Sequence, residues 1–132
     1  MRALDARAFG ADRGPLLDRL PRFADRFVVA DADDGSLCGF AAAWPNGPGG
    51  TVLGPVVALG TRTARALVRD LCEHTAGIVR LDIEARHEDL ERWARRHGLD
   101  GGPLCTLMVR GSGSRPPGDV SRRFAPYSVA LG

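Results

Sequence analysis

The chain predicts an α/β domain with a mixed sheet, and three observations carry that expectation. Apolar residues recur at helical spacing in residues 61–75, with Ala64, Leu67, Val68, Leu71 and Cys72 at i, i+3, i+4, i+7 and i+8. Residues 78–85 alternate instead, with Val79, Leu81 and Ile83 on one face and Arg80, Asp82 and Glu84 on the other. Ahead of both, the turn sequence Asp33-Asp34-Gly35-Ser36 joins two apolar runs, as a hairpin does. At 132 residues, 44% hydrophobic and 26% charged, one such domain accounts for the whole length.

Leu4, Ala8 and Phe9, then Leu16, Leu17 and Leu20, mark two short amphipathic helices broken around residues 10–15. Pro15 suits the first turn of the second, where its missing N–H costs nothing. Residues 27–30 and 37–44 are the hairpin strands, and a loop of Pro45, Asn46, Gly47, Pro48, Gly49 and Gly50 follows. Residues 51–58 form a third strand, but Gly54-Pro55 in its middle requires a bulge or an edge, because proline donates no ladder hydrogen bond. Thr61 is the expected N-cap of the next helix and Gly77 its stop. After the strand 78–85, residues 89–97 form a helix with Leu90, Trp93 and Ala94 on one side. Its acids in the first turn, and Arg95, Arg96 and His97 in the last, complement the helix dipole, which also favours His74 near the end of the preceding helix. Residues 104–109 read as a further strand, 111–121 as a Gly/Ser/Pro loop, and 124–131 as a closing strand or short helix.

Composition excludes several chemistries. The 18 basic residues, all arginine, face 16 acids for a net charge of +2, and the two signs are interleaved, which argues against a nucleic-acid partner. Without lysine there is no Schiff-base nucleophile and no anchor for pyridoxal phosphate. Cys38, Cys72 and Cys105 are odd in number and widely spaced, so they read as reduced thiols on apolar faces, with no disulfide and no metal site expected. No apolar run has the length of a signal peptide or a membrane span, and a soluble cytoplasmic protein with no membrane partner is expected.

The order of elements resembles the GNAT superfamily of acyl-CoA-dependent N-acyltransferases, minus their usual first strand. The strings LDARAFGADRGPLLDRL, LGPVVALGTRTARALVRDL, LDIEARHEDLERWARRHGL and FAPYSVALG look most like the C-terminal half of YitH-type tandem GNAT proteins. That resemblance implies a mainly antiparallel sheet flanked by helices, with acetyl-CoA as the cofactor. Its pantetheine arm would pair with a bulged strand, here Val56, Val57 and Ala58. Its diphosphate would lie on the next helix N-terminus, here Gly60, Thr61, Arg62, Thr63 and Ala64, where unpaired amides and the dipole attract anions. This chain departs from the phosphate motif, with Leu59 in the arginine slot and Arg62 in the first glycine slot; only Gly60 and Ala64 comply. A later family pattern places His87 at an asparagine, Leu90 at an alanine, and Ala94 where a tyrosine serves as general acid. Tyr127 is the sole tyrosine, and Cys105 or a water would have to take over as the acid toward a leaving thiolate. YitH-type C-terminal halves are similarly degenerate, which implies that they complement a catalytic N-terminal half.

Asp82 and Glu84 are the candidate general bases toward an amine, or anchors for a cationic substrate; the alternative is pairing with Arg80 or a neighbouring arginine at a surface-facing side of the sheet. His87 is a candidate base or substrate hydrogen-bonder, against a capping role at the helix start. Trp44, beside the Gly/Pro loop, and Trp93 are candidate substrate walls, although Trp93 also fits the core. Cys105 and Tyr127 complete the substrate-side set, while Arg115, Arg122 and Arg123 flank a loop, where solvation is the simpler reading and closing over an anionic ligand the alternative. Three functions follow: a small-amine N-acyltransferase, a CoA-independent small-molecule binding protein or enzyme using the same cleft, and a non-catalytic partner of another acyltransferase. GNAT-type last strands make dimer contacts, so a homodimer is expected.

Overall fold

The computed structural model describes residues 1–108 and 115–129. Its order is α1 (Arg2–Phe9), α2 (Gly14–Phe23), β1 (Arg26–Asp31), β2 (Leu37–Pro45), β3 (Gly50–Ala58), α3 (Thr61–Glu73), β4 (Ile78–Arg80), α4 (Glu88–Arg96), a 3₁₀ turn (Val120–Arg122) and β5 (Arg123–Ala125). β1, β2 and β3 are antiparallel neighbours, β4 lies parallel to β3, and β5 runs antiparallel to β3. The mixed, mainly antiparallel sheet flanked by helices is therefore present.

Side-chain alternation divides the apolar residues between two layers. Phe40 and Val57 point toward α1 and α2, where they meet Leu4, Ala8, Phe9 and Leu17. Ala41, Ala43, Leu53, Val56 and Ala58 point the other way, onto Ala64, Leu67, Val68 and Leu71 of α3 and Leu90 of α4. Burial of each larger side chain contributes roughly 1.5–3 kcal/mol. The small residues of β2 let α3 lie close to the sheet. A Cβ added at Gly39 would come within 2.8 Å of Thr63 Cγ2 and 2.9 Å of Leu67 Cδ1.

The interruption expected at Gly54-Pro55 is a register shift: Ala41 pairs with Val56 but Ala43 with Leu53, so β3 uses one residue more than β2. The shift also breaks the alternation of β3, which is why Leu53 and Val56 share a face.

Four sequence expectations change. The strand expected over residues 78–85 ends at Arg80, because beyond Val52 the far edge of β3 bends away and is next taken by β5. Residues 104–108 form no strand, and Leu104 and Met108 are 93% and 87% exposed; residue 109 lies outside the described residues. The closing strand is confined to Arg123–Ala125, with residues 130–131 and, in the preceding loop, 111–114 outside the description. Gly60, in extended conformation at φ −167°, caps α3 in place of Thr61 and offers no side-chain bond.

Candidate functional site

The far edge of β3 is divided. Its first part, Gly50, Thr51 and Val52, pairs with β4, while Val56 and Val57 pair with Ala125 and Arg123 of β5. The chain leaving β4 therefore diverges from β3, and β5 is wedged into the split. The wedge is bonded on both sides, since the Glu84 N–H donates to the Phe124 carbonyl at 3.0 Å.

β5 alternates in turn. Arg123 pairs with Val57 and so faces α1, its guanidinium carbon 5.3 Å from the Phe9 ring centre, while Phe124 enters the α3/α4 core. Arg123 is only 6% exposed. Its Nε lies 3.4 Å from Glu84 Oε1, and neither Nε nor Nη2 makes a hydrogen bond. Glu84 shares its other oxygen with Arg86, whose Nε donates to Oε2 at 2.9 Å.

His87 closes the other wall. Its ring lies 3.9 Å from the Phe124 ring, and its Nε2 is 2.7 Å from the Arg123 carbonyl oxygen. A carbonyl only accepts, so Nε2 carries the hydrogen and Nδ1 the lone pair. Burial pushes the His87 pKa below its ordinary value, with the carbonyl bond and Glu84 acting against the shift.

Past β5 the chain runs over Gly54, where an added Cβ would collide with the Pro126 carbonyl oxygen. Tyr127 stacks on Trp44 with 5.3 Å between ring centres, and Phe23 of α2 meets both rings edge-on at 5.5 and 6.5 Å. The Trp44 indole N–H donates to the Gly54 carbonyl at 3.0 Å, and partial burial pushes the Tyr127 phenol up.

The sequence candidates thus fall into separate groups. Glu84 and His87 line the split, with Trp44 and Tyr127 beside it on the α2 side. Asp82 instead holds Arg80 in a forked pair at 3.0 Å. Asp82 and Cys105 lie along a different, open cleft of about 970 Å³ between β4 and α4. Cys105 is exposed, which corrects its expected place on an apolar face; Cys38 is buried and Cys72 half-buried. Trp93 packs against the main core and tilts over His97 at 4.5 Å. Arg123 was expected at a solvated surface and is buried instead. Sequence reasoning missed its role because nothing in the run Arg122-Arg123-Phe124-Ala125 signals which arginine is buried.

The acyl-CoA expected from the resemblance finds a partial match. The first turn of α3 leaves amides without helical partners, and Gly60 is open enough that an added Cβ meets nothing within 4 Å. Arg62 is exposed there, and Ala64 is fully buried with its N–H bonded to Gly60. The edge that a pantetheine arm needs, at Val56 and Val57, is already bonded to β5. The residues present therefore do not fit the arm while β5 is in place. At the position where the resemblance calls for a tyrosine acid, Ala94 is 2% exposed in the core. No group of three or more potential metal ligands occurs among the described residues, and none of their helices is long and apolar enough to cross a membrane.

Comparison with known proteins agrees with this architecture. The sequence model of the acetyltransferase (GNAT) domain matches residues 1–125. The uncharacterized N-acetyltransferase YitH of Bacillus subtilis (strain 168) is 31% identical over 88 residues, 67% of this chain and 31% of that protein. The chain thus aligns with about a third of the length of that relative. The crystal structure of wild-type TTHA1254 from Thermus thermophilus superposes with a TM-score of 0.53 at 24% identity, covering 85% of this chain and 92% of the other, and shares the fold. With the split sheet, the flanking helices and a family match over nearly its full length, the chain belongs to the GNAT acetyltransferase family.

Proposed function

We propose that the chain is an N-acyltransferase domain acting on a small amine, held closed by its own segment 123–127. The observation that carries this reading is the opening of the sheet beyond the β3 bulge, with Glu84 and His87 on its wall. Glu84 already sits beside a guanidinium, so the same carboxylate suits an ammonium and accepts the proton that the ammonium must lose before its nitrogen attacks. His87 is neutral in this setting and donates from Nε2 to a carbonyl, which makes it a positioning group for an acceptor oxygen. Asp82, committed to Arg80 on another surface, takes no part. Alignment of the two reactants supplies much of the rate in amide formation. Acetyl-CoA is the acyl donor of the family; in the closed form no step passes through it.

The buried Ala94 and the exposed Arg62 favour a second reading, a GNAT domain that supports another acyltransferase or binds a small molecule without CoA. Calorimetric titration with acetyl-CoA separates the two. The first reading expects saturable heat that is weakened at least tenfold by Gly60→Asp, which adds a negative charge at the open helix start without a clash. Absence of heat at millimolar ligand, in the wild type and in variants with the tail loosened, rejects it in favour of the second. We also propose a homodimer in the cytoplasm; a monomer mass by light scattering rejects the dimer.

A further inference from the structure

We propose that the segment from Arg123 to Tyr127 is an intrasteric strap, a displaceable strand that fills a groove built for an extended chain bearing secondary amides. Its main chain bonds to two facing edges, Val56–Val57 on one side and the Glu84 N–H on the other, and the Arg123 carbonyl accepts from the His87 ring Nε2–H. Removing it leaves those donors and acceptors facing one another across a gap of one strand, the arrangement that a peptide or a pantetheine-like arm satisfies by strand addition. It also frees Glu84 Oε1 for a cation carried by the entering ligand.

The seat of the strap is imperfect at Arg123. Two other guanidinium groups of this protein use the Nε/Nη2 edge to grip both oxygens of a carboxylate. Arg13 holds Asp5 at 3.0 and 2.7 Å, and Arg26 holds Asp70 at 2.7 and 3.0 Å. On Arg123 the same edge is buried and makes no hydrogen bond, because Glu84 is drawn toward Arg86. A buried donor without a hydrogen bond penalises the closed form relative to a fully bonded strand. The free-energy gain that offsets this comes from Phe124 in the core and from the Tyr127 ring stacked on Trp44. The acyl-arm half of this proposal rests on the acyltransferase reading; the strap itself does not.

Native-state hydrogen exchange resolved by residue tests the opening, and binding of two probes tests the groove. The Glu84 amide is expected to exchange at least tenfold faster than the amides of the β2–β3 ladder. Gly54→Ala, whose Cβ collides with Pro126, and Tyr127→Ala, which removes the anchor, are each expected to speed it a further tenfold with the ladder unchanged. Exchange of Glu84 only together with the ladder, in wild type and both variants, overturns the strap. Coenzyme A and the end-blocked peptide Arg-Phe-Ala-Pro-Tyr are then titrated into the three proteins. Binding of either at least tenfold tighter to the variants than to the wild type supports the groove, and binding of neither overturns it. Peptide binding without coenzyme A binding keeps the strap and groove but sinks the acyltransferase reading.

Discussion

Asp5 and Arg13 form a buried, two-point ion pair that ties α1 to the start of α2. The Asp5 carboxylate is 1% exposed and Arg13 13%, with contacts of 3.0 Å from Nε and 2.7 Å from Nη2. The same Arg13 guanidinium lies 3.2 Å from the centre of the Phe9 ring, whose neighbourhood Arg123 enters from β5. The pair therefore holds the start of α2 against the Phe9 ring at the end of α1, which borders the split.

Removing one partner of such a pair leaves the other charge buried. Asp5→Ala is expected to cost about 3–5 kcal/mol of unfolding free energy. Asp18→Ala breaks the Arg2–Asp18 pair, whose side chains are 62% and 58% exposed, and is expected to cost less than about 1 kcal/mol. Urea denaturation of the two variants checks the contrast; equal midpoints would remove the structural importance given to Asp5.

His87 sets a pH dependence. Its pKa is lowered in the folded protein, first by burial, while the unfolded chain takes up a proton near 6.5. The unfolded state therefore binds more protons just below that value, and stability rises with pH there. The contribution is complete above about pH 7 and is lost as the solution is acidified through the unfolded value toward the lower folded one. Urea midpoints at about pH 7.5 and about pH 5.5, which bracket the unfolded value, are expected to differ in the wild type and to converge in His87→Gln. An unchanged pH slope in the variant refutes this assignment.

Gly39 sits beneath the first turns of α3, and Gly39→Val puts a branched side chain against Thr63, Leu67 and the Val57 carbonyl. Overpacking of this kind costs about 1–3 kcal/mol. Thermal unfolding should register the loss, whereas Gly35→Val, at a turn position with positive φ and open space around it, should lower the midpoint through backbone strain without moving α3. Chemical shifts confined to the turn in one variant and spread over α3 in the other distinguish the two causes.

Phe124 and Tyr127 belong to one segment but hold it by different means. Phe124 is 1% exposed in the α3/α4 core, so Phe124→Ala is expected to cost about 3–5 kcal/mol. Tyr127 is half-buried in an aromatic stack, and its removal is expected to cost about 0.5–1.5 kcal/mol. A Tyr127→Ala loss as large as that of Phe124→Ala would mean that the segment is one rigid block.

Elements with strong periodicity were legible in the sequence. α3 announced itself by its apolar stripe, the β1–β2 hairpin by its turn, and the irregularity of β3 by Gly54-Pro55. Residues 104–108 have strand composition but no edge to join, and a strand exists only with a partner. Asp82 and Glu84 alternate perfectly with Leu81 and Ile83, yet the bulge in the neighbouring strand β3 decides that they lie past the ladder's end. Glu84 and His87 were visible as candidates by residue type. Their convergence on Arg123 was not, because it depends on a contact spanning about forty residues of chain and on which of two carboxylates the arginine reaches.

The shared rim of β3 separates two fates within a single strand. One half is committed to a parallel neighbour that carries the chain onward to α4; the other is occupied by β5. Sequence drift in the second half can therefore change what the domain holds, or whether it holds anything, while the first half keeps the framework standing.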